Sequence, residues 1–319
     1  MSYKEELLYK NRELVNFLET FYGGEYELFL KAIFRGKKPS IRVNTIKIER
    51  EELLKRLHAK GFKLAKVPFY EDAFIVEESP VEIGNTVEHF MGYYYVQSLS
   101  SMIPPLLLDP KPGDKILDIA SAPGSKTTQM AQMMKNQGLI VANDVDIDRV
   151  KALSNNIDRM GALNVIITIM EGNRFGKLLP DYFDKVLVDA PCSALGTLSK
   201  NSEILKWWGS EKIGRLMNTQ KALILSGFDS LKPGGLMVYS TCTLTPHENE
   251  YIVDYLLQKR PNAAIIDFEL SGVRLRNGVN QWGKFQFRPE IVKCKRIEPY
   301  CNENFEGFFI ALITKLSSG

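Results

Sequence analysis

From about residue 110 onward the chain alternates short apolar runs with longer amphipathic stretches. The runs are KILDIA (115–120), LIVAND (139–144), VIITIM (165–170), KVLVDA (185–190) and GLMVYST (235–241). Between them lie PGSKTTQMAQMM, DRVKALSNNIDRMG and the stretch from Lys212 to Leu231. Strands apolar along their whole length are buried on both faces, and helices must cover those faces. The pattern therefore predicts an α/β domain with a doubly wound, mostly parallel sheet. Leu231-Lys-Pro-Gly-Gly235 reads as a helix stop and a turn into the next strand. A last apolar run, GFFIALITK (307–315), follows the turn formers Asn302, Asn304 and Gly307 and is expected as an antiparallel edge strand.

Residues 1–90 read differently. RVNTIKI (42–48), the charged helix pattern REELLKRLHAKG (50–61) and the runs FKLAKV and FIVEE suggest a small βαββ-like α+β module. The expected division is a module at 1–90 and a catalytic domain at 91–319, joined by GYYYVQSLSSMIPPLLL. The formal net charge of +3 is too small to identify a polyanionic partner, because only locally concentrated charge does that. The start, MSYKEELLYKN, lacks an apolar secretory core, and no run reaches the ~18–20 apolar residues of a membrane span. Four cysteines are too few for a disulfide scaffold of this length, so a reduced, cytoplasmic protein is expected; it is taken to be a monomer.

The stretch LDIASAPGSKTTQM (117–130) has the form of a strand, a tight turn and a helix start. Its candidate cofactor residues are Ala120, Ser121, Ala122, Pro123, Gly124, Ser125 and Lys126. Backbone N–H groups at a helix start attract a carboxylate or phosphate. Neither GxGxxG nor GxxxxGK[ST] is present, which argues against NAD and ATP. Asp144 ends the second run, where an acid commonly holds a ribose diol. S-adenosylmethionine fits these features best, having one carboxylate, one ribose and no pyrophosphate.

Two cysteines follow two different apolar runs: Cys192 in VDAPCSALGT (188–197) and Cys242 in VYSTCTLTPHENE (238–250). Ligands of open α/β sheets bind beyond the carboxyl ends of the strands, which both thiols would reach. No CxxC pair occurs and His58, His89 and His247 lack ligand spacing, so no metal is expected. A thiolate can add to C6 of cytosine, turning C5 into an enamine-like carbon able to attack a methylsulfonium. That addition needs N3 protonated or hydrogen-bonded, a task for Asp189 beside the rigid Pro191.

The ordered set RVNTIK, QSLSSM, LDIASAPGSKTTQ, ANDVD, DAPCSALGT, LKPGGLMVYSTCTLTPHENE and EGFFIA resembles the Nop/Sun-type RNA cytosine-5 methyltransferases. The resemblance implies a Rossmann-like class I methyltransferase domain with an N-terminal RNA-binding module. It makes Cys242 the nucleophile and Cys192 the aid to product release. It assigns Asp189 and Pro191 to the cytosine, and the 120–126 loop, Asp144, Arg149, Glu171 and Asp189 to S-adenosylmethionine, with Lys126 counted in both sets. Glu171 stands where the family carries an aspartate, and Ala194 and Leu195 where smaller or polar residues are frequent. DNA cytosine-5 enzymes instead attack with the PC-type cysteine, so S-T-C points to RNA, either rRNA or tRNA with a lean to rRNA.

Between 271 and 300, seven basic residues (Arg274, Arg276, Lys284, Arg288, Lys293, Lys295, Arg296) face two acids, with Trp282, Phe285, Phe287 and Tyr300 interleaved. This suits phosphate contacts and base stacking, as do Arg42, Lys47, Arg50, Lys55 and Arg56 in the module. Cys294 and Cys301 read as structural, and His247 to Glu250 as a helix start. Two alternatives stand beside this reading: an amino-directed methyltransferase, whose N/D-P-P-Y motif is missing, and a catalytically inactive RNA-binding assembly factor.

Overall fold

The computed structural model describes residues 3–317. The chain opens with three helices, α1 (Tyr3–Lys10), α2 (Arg12–Tyr22) and α3 (Tyr26–Phe34). There follow β1 (Ser40–Val43), α4 (Arg50–Ala59), β2 (Lys63–Val67), β3 (Tyr70–Glu78), α5 (Val87–Phe90) and β4 (Tyr94–Val96). These four strands form an antiparallel sheet in the order β2-β3-β1-β4. Its apolar face, with Ile41, Val43, Phe74 and Val76, covers Leu53 and Leu57 of α4. The helices at 3–34 lie outside that four-stranded sheet. Leu14 and Leu18 of α2 and Phe29 and Ile33 of α3 instead share a core with Leu195, Leu198, Leu205 and Ile213, in the segment that follows Cys192. The apolar spacing of α2 carries this signal, which a search for strand runs passes over.

The second part alternates as its sequence predicts: α6 (Leu99–Leu108), β5 (Lys115–Asp118), α7 (Ser125–Met133), β6 (Leu139–Asp144), α8 (Ile147–Met160), β7 (Val165–Ile169), α9 (Phe175–Leu178) and β8 (Phe183–Asp189). Then come α10 (Ile204–Trp207), α11 (Ser210–Ser230), β9 (Leu231–Thr241), α12 (Glu250–Lys259), β10 (Ala263–Ile266), β11 (Leu275–Asn277), the hairpin β12 (Gln281–Trp282) and β13 (Phe285–Gln286), β14 (Lys295–Ile297) and β15 (Phe308–Lys315). The large sheet runs β11-β14-β15-β9-β8-β5-β6-β7, with β10 also on β15. Strands β5 to β9 are parallel, and the order reverses at β5. A crevice beyond the strand ends at that reversal is where such sheets bind ligands.

The final strand is antiparallel, as its position after the turn suggests, but it does not form the edge. β15 pairs β9 through 309–314, and β14 and β10 cover its far side. Phe309, Ile310 and Ala311 are fully buried, which an uncovered edge would not allow. The Pro233-Gly234-Gly235 turn forms a bulge: Phe183 pairs Leu231, then Lys185 pairs Leu236. Among the described residues no helix is long and apolar enough to cross a membrane.

Candidate active site

Each functional segment leaves the carboxyl end of a parallel strand: the 120–126 turn after β5, Asp144 at the end of β6, Asp189 at the end of β8 and Cys242 just past β9. The turn is tied to its neighbour because the Ser121 N–H and Oγ both donate to the Asn143 carbonyl (2.7 and 2.9 Å). Asn143 in turn donates to Ile119 O and Met170 O and accepts from Thr168 Oγ1 (3.0 Å). Sequence reading missed this cross-brace between strand ends; a buried polar residue inside an apolar run was its signal. Gly124, at φ +102°, closes the turn and starts α7. A Cβ there would lie 2.9 Å from Leu153 Cδ1, so both conformation and space favour glycine.

A cleft of about 450 Å³ opens between these ends and α11. Of the expected cofactor residues, Ala120, Asp144, Arg149 and Glu171 line it, as does Pro191. Ser121, Ala122, Pro123, Gly124 and Ser125 build the turn beside it and do not contribute to its wall. Asp144, only 2% exposed, accepts the Ala122 N–H on Oδ2 (3.2 Å) and the Asp146 N–H on Oδ1 (3.1 Å). Arg149 lies 3.4 Å from the same carboxylate and donates to Ala122 O, holding turn and acid together. Ile119, Val145, Ala222 and Leu223 add apolar wall. The α11 residues were not legible, because nothing local marks the cleft-facing side of a long amphipathic helix.

Beside the cleft, Cys192 Sγ and Cys242 Sγ lie 3.4 Å apart. Lys126 Nζ is 2.5 Å from Asp189 Oδ2, and Ser240 Oγ donates to Asp189 Oδ1 (2.7 Å). Burial works against the Lys126 ammonium, but the Asp189 carboxylate more than offsets it and the pKa is raised; the charge on Cys242 adds to this. The Cys192 thiol is pushed well up, first by its hydrogen bond with Cys242, then by burial and by the charges of Cys242 and Glu248. One thiol is thus held protonated while its neighbour sits within the field of an ammonium. Asp118, fully buried one turn of sequence before the loop, is pushed up to about 7 by burial, although Thr127 Oγ1 donates to it (2.7 Å). Among the described residues no cluster of three His, Cys, Asp or Glu can hold a metal.

The two cysteine loops are joined through their backbones. The Gly196 N–H donates to Cys242 O (2.9 Å), and the Gly307 N–H donates to Gly196 O (3.0 Å). Ala194 sits at φ +56°, where an alanine is strained. The run His247 to Glu250, expected only to begin a helix, joins Thr241 and Thr245 in a network as well. Thr241 Oγ1 donates to Asn249 Oδ1 (2.6 Å), Thr245 Oγ1 donates to Glu248 (2.7 Å), and Glu250 pairs with Arg296 at 2.6 Å on both guanidinium arms.

Three basic residues expected to face RNA do not. Arg296 is 2% exposed and paired with Glu250; Lys295 is buried and paired with Asp267. Arg42 is fully buried, donating to Gln97, Gln132 and Thr128, and so fastens the N-terminal sheet to α7. A buried guanidinium satisfied by neutral acceptors explains its pKa, lowered to about 10 by desolvation. Composition counts charges but cannot see which ones a sheet encloses. Arg274, Arg276, Lys284 and Lys293 remain on the surface, Arg276 in an ion pair with Glu25.

The comparisons with known proteins agree with this geometry. Residues 105–314 match the family described as 16S rRNA methyltransferase RsmB/F, and 11–99 match the N-terminal domain of 16S rRNA methyltransferase RsmF. A tRNA (cytosine(49)-C(5))-methyltransferase of Pyrococcus abyssi is 41% identical over 99% of each chain. The ribosomal RNA small subunit methyltransferase F of Vibrio campbellii is 41% identical over 92% of this chain, which spans only 60% of that relative's length. The crystal structure of a methyltransferase homolog from Pyrococcus horikoshii, 34% identical, superimposes with a TM-score of 0.85 over 99% of this chain and 100% of its own. With both parts of the chain matched in order and both thiols inside the second, the protein belongs to the RsmB/F family, the Sun-type RNA methyltransferases.

Proposed function

We propose that this enzyme transfers a methyl group from S-adenosylmethionine to C5 of a cytosine in structured RNA, tRNA or rRNA, with Cys242 as nucleophile. The observation that carries the reading is the thiol pair, 3.4 Å apart, beside the Lys126–Asp189 ion pair and next to the cleft. Methyl transfer to an exocyclic amine has no use for two adjacent thiols.

The cleft residues suit the cofactor. Its volume is in the range of small-molecule sites. Ile119, Val145 and Leu223 offer a flat apolar wall for a purine, while Asp144 and Glu171 offer acceptors for hydroxyl and amino donors. When bound, S-adenosylmethionine supplies an electrophilic methyl group on sulfonium sulfur. The chain's own residues do the rest. Cys242 Sγ adds to C6 of the base, and the electron pair of the C5–C6 double bond is thereby made available at C5. As Cys242 adds, the proton its thiol gives up is taken by N3, so that no net charge builds on the ring. Asp189, fixed by Lys126 and Ser240, accepts a hydrogen bond from the N3–H so formed. After methylation the C5 proton passes to a base, the C6–S bond breaks, and the electron pair returns to Cys242. Cys192, 3.4 Å from Cys242, serves this last stage in our reading. The cytosine must leave its stack to reach the thiols, which favours unpaired or flexible positions.

The reading includes a division near residue 90, with the N-terminal module and the exposed Arg274, Lys284 and Lys293 meeting RNA phosphates, in a cytoplasmic monomer. Unmodified tRNA and rRNA transcripts incubated with methyl-labelled cofactor and digested to nucleosides test it. Label in 5-methylcytosine is expected, and the RNA that carries it identifies the substrate class. Label on N4 would assign amino-directed transfer, and no label on either RNA would leave an assembly factor. Calorimetry on Asp144→Ala should show clearly weakened cofactor binding; unchanged affinity removes Asp144 from the site.

A further inference from the structure

Glu248 lies just outside the set that touches base or cofactor, yet it is fully buried at the junction of three elements. Four donors converge on its carboxylate. The Ser193 N–H (2.8 Å) and Gln220 Nε2 (3.0 Å) reach Oε1, and Ser193 Oγ (2.5 Å) and Thr245 Oγ1 (2.7 Å) reach Oε2. Ser193 is the residue after Cys192, Thr245 follows Cys242 by three, and Gln220 belongs to α11, where the same amide also donates to Pro191 O (2.9 Å). Tyr239 of β9 closes the ring by donating to the Glu248 carbonyl (2.6 Å). Such a carboxylate is costly to bury unless it is saturated, and here it is saturated by groups from both thiol-bearing loops.

We propose that Glu248 is a positioning residue that clamps the Cys192 loop onto the Cys242 strand end and fixes Cys192 as the hydrogen-bond donor of the pair. The inference rests on the reading that Cys242 attacks the base, and it explains why the two thiols do not compete for that role. Two sulfurs 3.4 Å apart cannot both be anionic without strong repulsion. The fixed charges around them break the tie. Lys126 lies within electrostatic reach of Cys242, whereas the Glu248 carboxylate, held by the N–H and hydroxyl of the next residue, Ser193, raises the pKa of Cys192, with Tyr239 and Asp189 also titratable groups around the pair. An anion favours the thiol form of a cysteine near it. The clamp therefore does two things with one carboxylate: it sets the sulfur–sulfur distance and it sets which sulfur keeps the proton. The rate of methyl transfer would not separate these effects, but thiol reactivity does.

The test is alkylation by iodoacetamide as a function of pH, followed at each cysteine by peptide mass spectrometry and needing neither RNA nor cofactor. In the unmutated protein Cys242 should react before Cys192 at neutral pH; the reverse order overturns the proposal. In a Cys242→Ala background, Glu248→Gln should move the Cys192 profile toward lower pH by about one unit, roughly tenfold in rate near neutrality. Glu248→Asp loosens the same clamp but keeps the charge, so its profile should stay in place. Equal shifts in the two variants, or none in either, would show that the carboxylate's charge does not act on Cys192. A failure of methyl transfer to RNA would refute the proposed activity while leaving this result to be read on its own.

Discussion

Cys192 Sγ and Cys242 Sγ lie 3.4 Å apart on loops that leave adjacent parallel strands, β8 and β9. The distance permits an S–H···S hydrogen bond, which makes one sulfur a donor and the other an acceptor at any moment. With Cys242 as nucleophile, Cys242→Ala should abolish methyl transfer while RNA and cofactor still bind. Cys192→Ala should still attack but release product poorly. It should therefore accumulate a covalent protein–RNA adduct, seen as a slow band on a denaturing gel and absent in Cys242→Ala. The opposite pattern would exchange the two roles.

Arg296 and Glu250 form a buried, doubly hydrogen-bonded ion pair, with Arg296 also donating to Leu244 O (2.9 Å). Removing one partner of such a pair leaves the other charge buried alone. Arg296→Met should cost roughly 3–5 kcal/mol in urea unfolding. Lys284→Ala and Arg274→Ala, on the surface, should stay within about 0.5 kcal/mol. In RNA binding the order inverts, with the surface variants reducing the salt dependence of affinity. Full stability in Arg296→Met together with weakened RNA binding would return Arg296 to the RNA surface.

The difference between Arg296 and Lys284 also marks how far the sequence could be read. Continuous apolar runs fix which segments are central strands, and catalytic groups then fall at strand ends, so Asp144, Asp189, Cys192 and Cys242 were accessible from pattern alone. A charge is not legible in the same way. Arg42 and Arg296 look like surface residues until long-range partners are known: Gln132 is 90 positions from Arg42, and Glu250 is 46 from Arg296. The same holds for Glu248, whose four donors come from residues 193, 220 and 245. Local spacing made it a helix start; only the fold makes it a clamp. The helices at 3–34 were missed because their apolar stripe packs on the segment 195–213, with α10 and the start of α11, rather than on either sheet.

Asp118 gives the stability of this protein a specific pH dependence. Burial pushes its carboxyl up to about 7, while Thr127 donates to one oxygen and the other has no hydrogen-bond partner among the described residues. Asp189, Asp144 and Lys126 are the charged groups near it. Between about pH 4 and 7 the native state keeps a proton that the unfolded chain has lost, so stability falls as pH rises through that window and levels off above it. The slope from this one group is at most about 1.4 kcal/mol per pH unit. Asp118→Asn keeps the acceptor for Thr127 and removes the titration. Relative to the unmutated protein it should gain stability steadily from pH 4 to 7 in chemical denaturation. A difference independent of pH would mean that Asp118 titrates normally in the fold.

Gly196 places a sharper demand on the loop than either cysteine does. Its backbone lies against Gly307, so that an added Cβ would sit 2.0 Å from the Gly307 carbonyl oxygen and 2.8 Å from its Cα. Both neighbours are backbone, and neither can rotate away. The same residue donates to Cys242 O and accepts from the Gly307 N–H, so relieving the clash must break the link between the two cysteine loops. Gly196→Ala should lose about 1–3 kcal/mol by overpacking. Its activity should fall further than that loss explains, by roughly a hundredfold, because displacing a reacting group by about 1 Å costs that much. Gly214→Ala is the control. It lies exposed in α11 with nothing within 4 Å of the added carbon, and it should instead stabilise the helix by up to about 1 kcal/mol. Melting curves and methyl transfer measured on the two variants separate the cases. If Gly196→Ala matched Gly214→Ala in both, the contact between the two cysteine loops would not be what holds the thiols in register.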